Sequence, residues 1–510
     1  MKTIYANRPA RSALVAPEPN VAALMTRQAI ELAALVLLVT MLSVAHLAAV
    51  ARPLFVLGAF LMAVRAIRRS PWEYLTLSLW IWSTAAFVRR LIDYYGGFQG
   101  QSIVLLAPNV LALLMIPSLL TSEQLMKRRE TIPGLLLLAP VFAGLAVSFF
   151  KGEIFPGLIA CIDWVIPLLY YFYLIQIMPR IHEGEAYFKA FVPLNLAVVG
   201  LYGVYQCFDV PAWDMEWVIN VKMFTMAGSA GGFKIKPFSM LNSPGTCAAW
   251  VSTLILLSLH FRNRISVVVL PAAMFFLVLT QVRADLGAVV FGLGVAMCSG
   301  QKQIVKSLLV FIAVAAMVAG ILSALDPRIA DALVGRMGTV GNLGEDRSAQ
   351  AREELYRSMP KLLEEYPLGL GIGGVGHGAV AGNNGNTDAD FVTIDGGPIA
   401  IYLALGWVAG TLYLVGLFVV VGAALLAAKR SRSPPALALA ITALGELATL
   451  PFTNLVGLQG IIIWLPAAYA IAIGGAKEKA ADPYYTPRGT AAYPPVQPIP
   501  HPALPWIRTP

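Results

Sequence analysis

Charge is the scarcest property of this sequence. Asp, Glu, Lys and Arg make up 13% of 510 residues, against 58% apolar residues and a mean hydropathy of +0.71. Soluble domains carry about a quarter charged residues, so a water-soluble enzyme is excluded, as are disordered and collagen-like chains. Cysteine is nearly absent. Cys161, Cys207, Cys247 and Cys298 lie in or beside apolar stretches at no metal-ligand spacing, which excludes a disulfide scaffold and leaves them as packing residues. No basic stripe interleaved with aromatics occurs, so nucleic acid is not expected as a partner. Residues 1–28 contain Pro9, Pro17 and Pro19 and no apolar core of a signal peptide. The sequence also lacks a visible internal repeat, which weighs against a symmetric transporter.

Long apolar runs are what the sequence has instead. A membrane-spanning helix needs roughly 20 residues. Runs fall near 29–50, 53–67, 72–88, 103–120, 132–149, 157–178, 188–206, 238–260, 265–282, 284–299, 305–325, 396–428, 436–452 and 454–474. The expected fold is therefore all-α, a polytopic transmembrane bundle of about 12–14 spans. The net charge of +9 has its explanation in the connections. Alternate ones carry Arg65, Arg68 and Arg69, then Lys127, Arg128 and Arg129, then Arg180, Arg262 and Arg264, Lys302 and Lys306, Lys429, Arg430 and Arg432, and Lys477 and Lys479. Placing these inside puts both termini in the cytoplasm. Arg89 and Arg90 are exceptions, because the same count places them outside.

The resulting division is a cytoplasmic segment 1–28, transmembrane helices over 29–206, an outer loop 207–237, helices over 238–325, a large outer loop 326–395, C-terminal helices over 396–476, and a cytoplasmic tail 477–510. That tail carries nine prolines from Asp482 onward and cannot be helical. Loops as long as the second outer one usually have a role. It opens with turn signals at Asp326 and Pro327 and reads as a helix from about Ser348 to Glu365, kinked or divided at Pro360. A glycine-rich turn, Pro367-Leu-Gly-Leu-Gly-Ile-Gly-Gly-Val-Gly376, follows.

Few residues are candidates for chemistry. Arg283 lies between two apolar runs at the outer membrane boundary, where an ionisable residue is costly; it either serves function or pairs with Asp285. Arg352 and Tyr356 share one face of the loop helix, where Arg352 either acts on a substrate or pairs with a neighbouring Glu. The turn glycines, Gly371 and Gly373 among them, either offer N–H groups to phosphate oxygens or serve a tight turn. His377 stands in that turn as a candidate for substrate contact, although a lone histidine there is more often a surface residue than a catalyst; Lys236 in the first outer loop is a further candidate for substrate contact. Asp395 precedes an apolar run and is either a base or an N-cap. Asp163 and Glu446 are intramembrane acids with no evident partner.

In order, Arg283 after an apolar span, a loop helix with Arg352, Tyr366-Pro-Leu-Gly-Leu-Gly-Ile-Gly373, and Asp395-Gly-Gly-Pro-Ile-Ala-Ile-Tyr-Leu-Ala-Leu-Gly-Trp-Val-Ala-Gly410 resemble the O-antigen ligase and Wzy-type polysaccharide polymerase superfamily, over about 235–425. The resemblance implies an inverting, metal-independent glycosyltransferase of the all-helical membrane class, with no cofactor. It implies a bacterial inner-membrane location and a donor glycan carried on undecaprenyl diphosphate at the periplasmic face. Flippase, chain-length regulator or export proteins would be its partners. The family's two essential arginines fall on Arg283 and Arg352. Ligases often carry a histidine where this sequence has Asp395, which tilts the reading toward an exopolysaccharide polymerase. A secondary transporter and a non-catalytic scaffold of an envelope complex are the competing readings.

Overall fold

The computed structural model describes residues 21–223, 227–228, 234–299, 347–382 and 396–481, with scattered residues between 306 and 324. Most of the apolar run 305–325, together with Asp395 and the proline-rich tail, lies outside the described residues. Among the described residues there are helices and turns, and one isolated β-bridge between Gly228 and Ile235.

The helices are α1 (Val21–Val44), α2 (Ala48–Arg69), α3 (Pro71–Gly96), α4 (Ile103–Leu120, in short pieces), α5 (Ile132–Phe150), α6 (Ile154–Gln176), α7 (Gly184–Phe208) and α8 (Ala212–Asn220). They continue as α9 (Pro244–Ser258), α10 (Ser266–Thr280), α11 (Arg283–Cys298), α12 (Arg347–Glu365), α13 (His377–Gly382), α14 (Gly397–Ser431), α15 (Pro434–Leu447) and α16 (Leu458–Ala481). Among the described residues nine helical segments are long and apolar enough to cross a membrane, and α9 and α10 are shorter apolar helices. The protein is an all-α polytopic bundle.

Local sequence accounts for several boundaries. Ser70 accepts the Trp72 N–H and Pro71 sits at the first helical position, so α3 starts there; Ser243 and Pro244 start α9 in the same way. The first two spans begin earlier than the apolar runs suggest. The chain turns at His46, in a left-handed conformation, and α2 then runs through Pro53, which costs one helical hydrogen bond. Similarly, α12 continues through Pro360 and is not divided there.

The core is aromatic as well as aliphatic, with Trp72, Tyr74, Tyr170, Phe188, Phe191, Trp464 and Tyr469 buried between helices. Outward positions are also apolar. Leu37, Leu57, Val268, Val290, Val408 and Phe418 are exposed, a surface suited to hydrocarbon and not to water.

Arg89 and Arg90 are not basic loop residues at all. Arg90 is fully buried, in an ion pair at 2.7 Å with the equally buried Asp214 of α8, and its guanidinium also donates to the carbonyls of Ser239 and Leu241. Arg89 and Arg52 share Asp93 at 3.2 and 3.0 Å, and Arg89 lies over the Trp217 ring. These charges bind the described parts of 209–243 onto α3 as a cap, which explains why they depart from the charge rule.

Candidate active site

Helix α14 spans 35 residues, far more than roughly 20 needed to cross a bilayer, and it is broken near one end. At Gly406 the backbone takes φ 73° and ψ −173°, which interrupts the helical ladder. The glycine-rich turn fills the break. Leu370 N–H donates to the Leu403 carbonyl (2.6 Å), and Trp407 N–H donates to the Pro367 carbonyl (3.1 Å). Such repair is what broken backbone in apolar surroundings requires. Only glycine fits at Gly406, because a Cβ there would stand 2.4 Å from the Leu368 carbonyl carbon.

The rest of the turn packs against the ends of α5 and α6. Lys151 Nζ donates to the Gly369 carbonyl at 3.1 Å. Ser148 Oγ accepts the Gly373 N–H at 2.8 Å and leaves no room for a side chain on Gly371; Gly157 does the same for Gly373. Close packing thus accounts for Gly371 and Gly373, and the Gly373 N–H is already engaged within the protein. That is the second of the two readings open from sequence.

Beside the turn a pocket enclosing about 430 Å³, its mouth included, lies at the head of α14, lined among others by Asp163, Trp164, His377, Gly397, Ile401 and Asn454. Asp163 on α6 is level with the start of α16, since its carbonyl accepts the Gly457 N–H at 2.9 Å. Its carboxylate Oδ2 lies 2.6 Å from His377 Nδ1. That hydrogen bond raises the His377 pKa above the ordinary histidine value. The imidazole remains largely exposed. The buried Asn454 Oδ1 has no hydrogen-bond partner among the described residues. Asp163 and His377 both stand out in the sequence, but no local pattern pairs residues 214 positions apart.

Arg283 is the first residue of α11, half-buried, directly after a reversal made by Gln281 in a left-handed conformation and Val282. The helix N-terminus adds its partial positive charge there, which favours an anion nearby. Asp285 does not hydrogen-bond Arg283. It is fully buried, and neither of its carboxylate oxygens has a hydrogen-bond partner among the described residues. Glu446, buried on α15, accepts from Ser252 Oγ through Oε1 at 2.7 Å.

Helix α12 lies along the first turns of α14, with Leu355, Tyr356, Met359 and Leu362 packed on Ile399, Ala400 and Leu403. Tyr356 Oη donates to the Pro451 carbonyl at 3.2 Å. The segment 447–453 therefore links the two arginine-bearing helices. On one side α15 packs on α11, where a Cβ on Gly445 would stand 3.0 Å from the Ala288 carbonyl. On the other, Leu450 and Thr453 abut Gly397, and Pro451 meets Tyr356. Arg352 precedes Tyr356 by one helical turn on the same face; its side chain and Asp395 lie outside the described residues. Lys236 belongs to the cap on α3, where its N–H donates to the Ala227 carbonyl, and it does not line the pocket. Among the described residues no three His, Cys, Asp or Glu side chains come together as a metal site.

Residues 265–414, which carry α10 to α13 and the broken start of α14, match the family model for O-antigen ligase. No curated protein matches the chain.

Proposed function

We propose, starting from the O-antigen ligase region, that the protein transfers a glycan from undecaprenyl diphosphate at the periplasmic face of the inner membrane. Breaking the sugar–diphosphate bond leaves negative charge on the departing phosphate, and guanidinium groups match phosphate oxygens at two points. Arg283 and Arg352 take that role, with Tyr356 holding the α12 face in place. The observation that supports this reading is that α15 packs on α11 at Gly445 and Ala288, and the chain just after α15 meets Tyr356 of α12 at Pro451. The acceptor hydroxyl attacks the anomeric carbon opposite the diphosphate and inverts its configuration. Asp395, one residue before Gly396 in the sequence, is a candidate base. The absence of the ligase histidine at that position favours polymerisation of an exopolysaccharide or O-antigen over ligation.

Purified protein in liposomes, supplied with an undecaprenyl-diphosphate-linked repeat unit, tests this directly. Polymerase activity gives longer chains still attached to the carrier, and ligase activity moves the glycan to another lipid. Arg283→Ala lowers either product by about 10²–10³-fold while the protein still reaches the membrane. Solute flux without any glycan product would mark the protein as a transporter and reject the proposal.

A further inference from the structure

The geometry points to His377 as the general base for the acceptor hydroxyl, held in place by Asp163, with the pocket at the head of α14 as the site where the acceptor saccharide binds. This rests on the glycan-transfer reading. An attacking hydroxyl must lose its proton as its oxygen bonds to the anomeric carbon, and an imidazole is well matched to that task near neutral pH. Asp163 Oδ2 lies 2.6 Å from Nδ1, which fixes the tautomer and turns Nε2 into the proton acceptor; among the described residues Nε2 has no hydrogen-bond partner. Asp163 is otherwise hard to explain, since a carboxylate on an apolar helix is costly unless paired or used.

The pocket is shallow and open, and its lining offers groups that the edge of a sugar could meet. His377, Asp163 and the unpartnered Asn454 Oδ1 offer polar groups to hydroxyls. Trp164, Ile401 and Leu455 supply apolar walls of the kind that cover a pyranose face. In the step itself the acceptor O–H bond breaks and its proton moves to His377 Nε2. The oxygen's electron pair forms the new bond to the anomeric carbon. The bond from that carbon to the phosphate oxygen breaks, and its electron pair leaves with undecaprenyl diphosphate. The imidazolium formed is balanced by the Asp163 carboxylate until the proton passes to water. His377 touches the substrate and is catalytic, whereas Asp163 acts through it and is a positioning residue.

The test uses full-length protein in liposomes with the undecaprenyl-diphosphate-linked repeat unit as donor and acceptor. His377→Gln is expected to lower the transfer rate by about 10²–10⁴-fold. In His377→Gly, added imidazole restores part of the rate, an effect that a purely structural histidine would not produce. Asp163→Asn lowers kcat with the acceptor KM unchanged, and Asp163→Glu recovers part of it. If His377→Gln transfers at the wild-type rate, or His377→Gly is inactive and insensitive to imidazole while Asp395→Asn alone abolishes turnover, the assignment is overturned and the transfer reading survives. A wild-type protein that moves no glycan overturns both.

Discussion

The protein has two regions of irregular chain beside its helices, and they use polar groups in opposite ways. In the cap over 209–243 the charges satisfy one another. Arg90 meets Asp214, Asp214 also accepts from Tyr202 and Gln206 at 2.7 Å each, and the Gln206 amide oxygen takes the N–H groups of Phe238 and Ser239. Around the turn at 366–376 the backbone satisfies itself by docking into the break of α14, and the polar side chains at the adjoining pocket remain available. His377 is exposed and Asn454 Oδ1 is unpartnered among the described residues. The cap has one buried unpartnered amide oxygen as well, Asn242 Oδ1, so the contrast rests on the charged groups: on the proposed reading those of the cap hold the fold and His377 serves a substrate.

Breaking the cap should have the largest effect on stability. Arg90→Met leaves Asp214 buried and uncompensated, a loss of about 3–5 kcal/mol, read as a lower unfolding temperature in detergent. Arg90→Met with Asp214→Leu recovers most of it. The converse holds for the two arginines. Arg283→Ala or Arg352→Ala should leave the unfolding temperature near wild type and lower transfer by about 10²–10³-fold.

Gly406→Ala joins the two regions' logic, because it disturbs fold and site together. The added Cβ meets Leu368 and the positive φ is strained for alanine, at a cost of about 1–3 kcal/mol. Both the unfolding temperature and the transfer rate should fall. Tyr356→Phe removes one half-exposed hydrogen bond to Pro451, worth about 0.5–1.5 kcal/mol, and should raise the donor KM with little change in kcat.

The smallest effect is on pH. Because the bond to Asp163 favours protonated His377, the acid limb of the rate profile should lie above the ordinary histidine value of about 6.5. Below that limb the imidazole carries a proton and cannot act as base. Asp163→Asn moves the limb down. The other charges on the elements packed against the turn, Lys151 and Glu153, differ in sign and remain in place in that variant.

Most of the bundle was legible in the sequence. Hydropathy found the runs that became α1 to α7, α9 to α11 and α14 to α16, because lipid-facing and buried helix positions are both apolar. Arg89 and Arg90 announced themselves as a breach of the charge rule, though only the structure supplied Asp214, Asp93 and Trp217. The break at Gly406 was missed, since hydropathy is blind to φ. The length of the run beginning at Gly397 was the signal for it. The His377–Asp163 pair was out of reach for a different reason: it joins a loop to a helix far away in the chain, and no local pattern records such a contact.

Whether two guanidiniums act on one diphosphate is measured most directly by a double-mutant cycle on the transfer rate. If Arg283 and Arg352 hold the same headgroup, the variant carrying both Arg283→Ala and Arg352→Ala loses scarcely more activity than either single variant. Losses that multiply, or a single variant as active as wild type, would show that the two residues do not share one site.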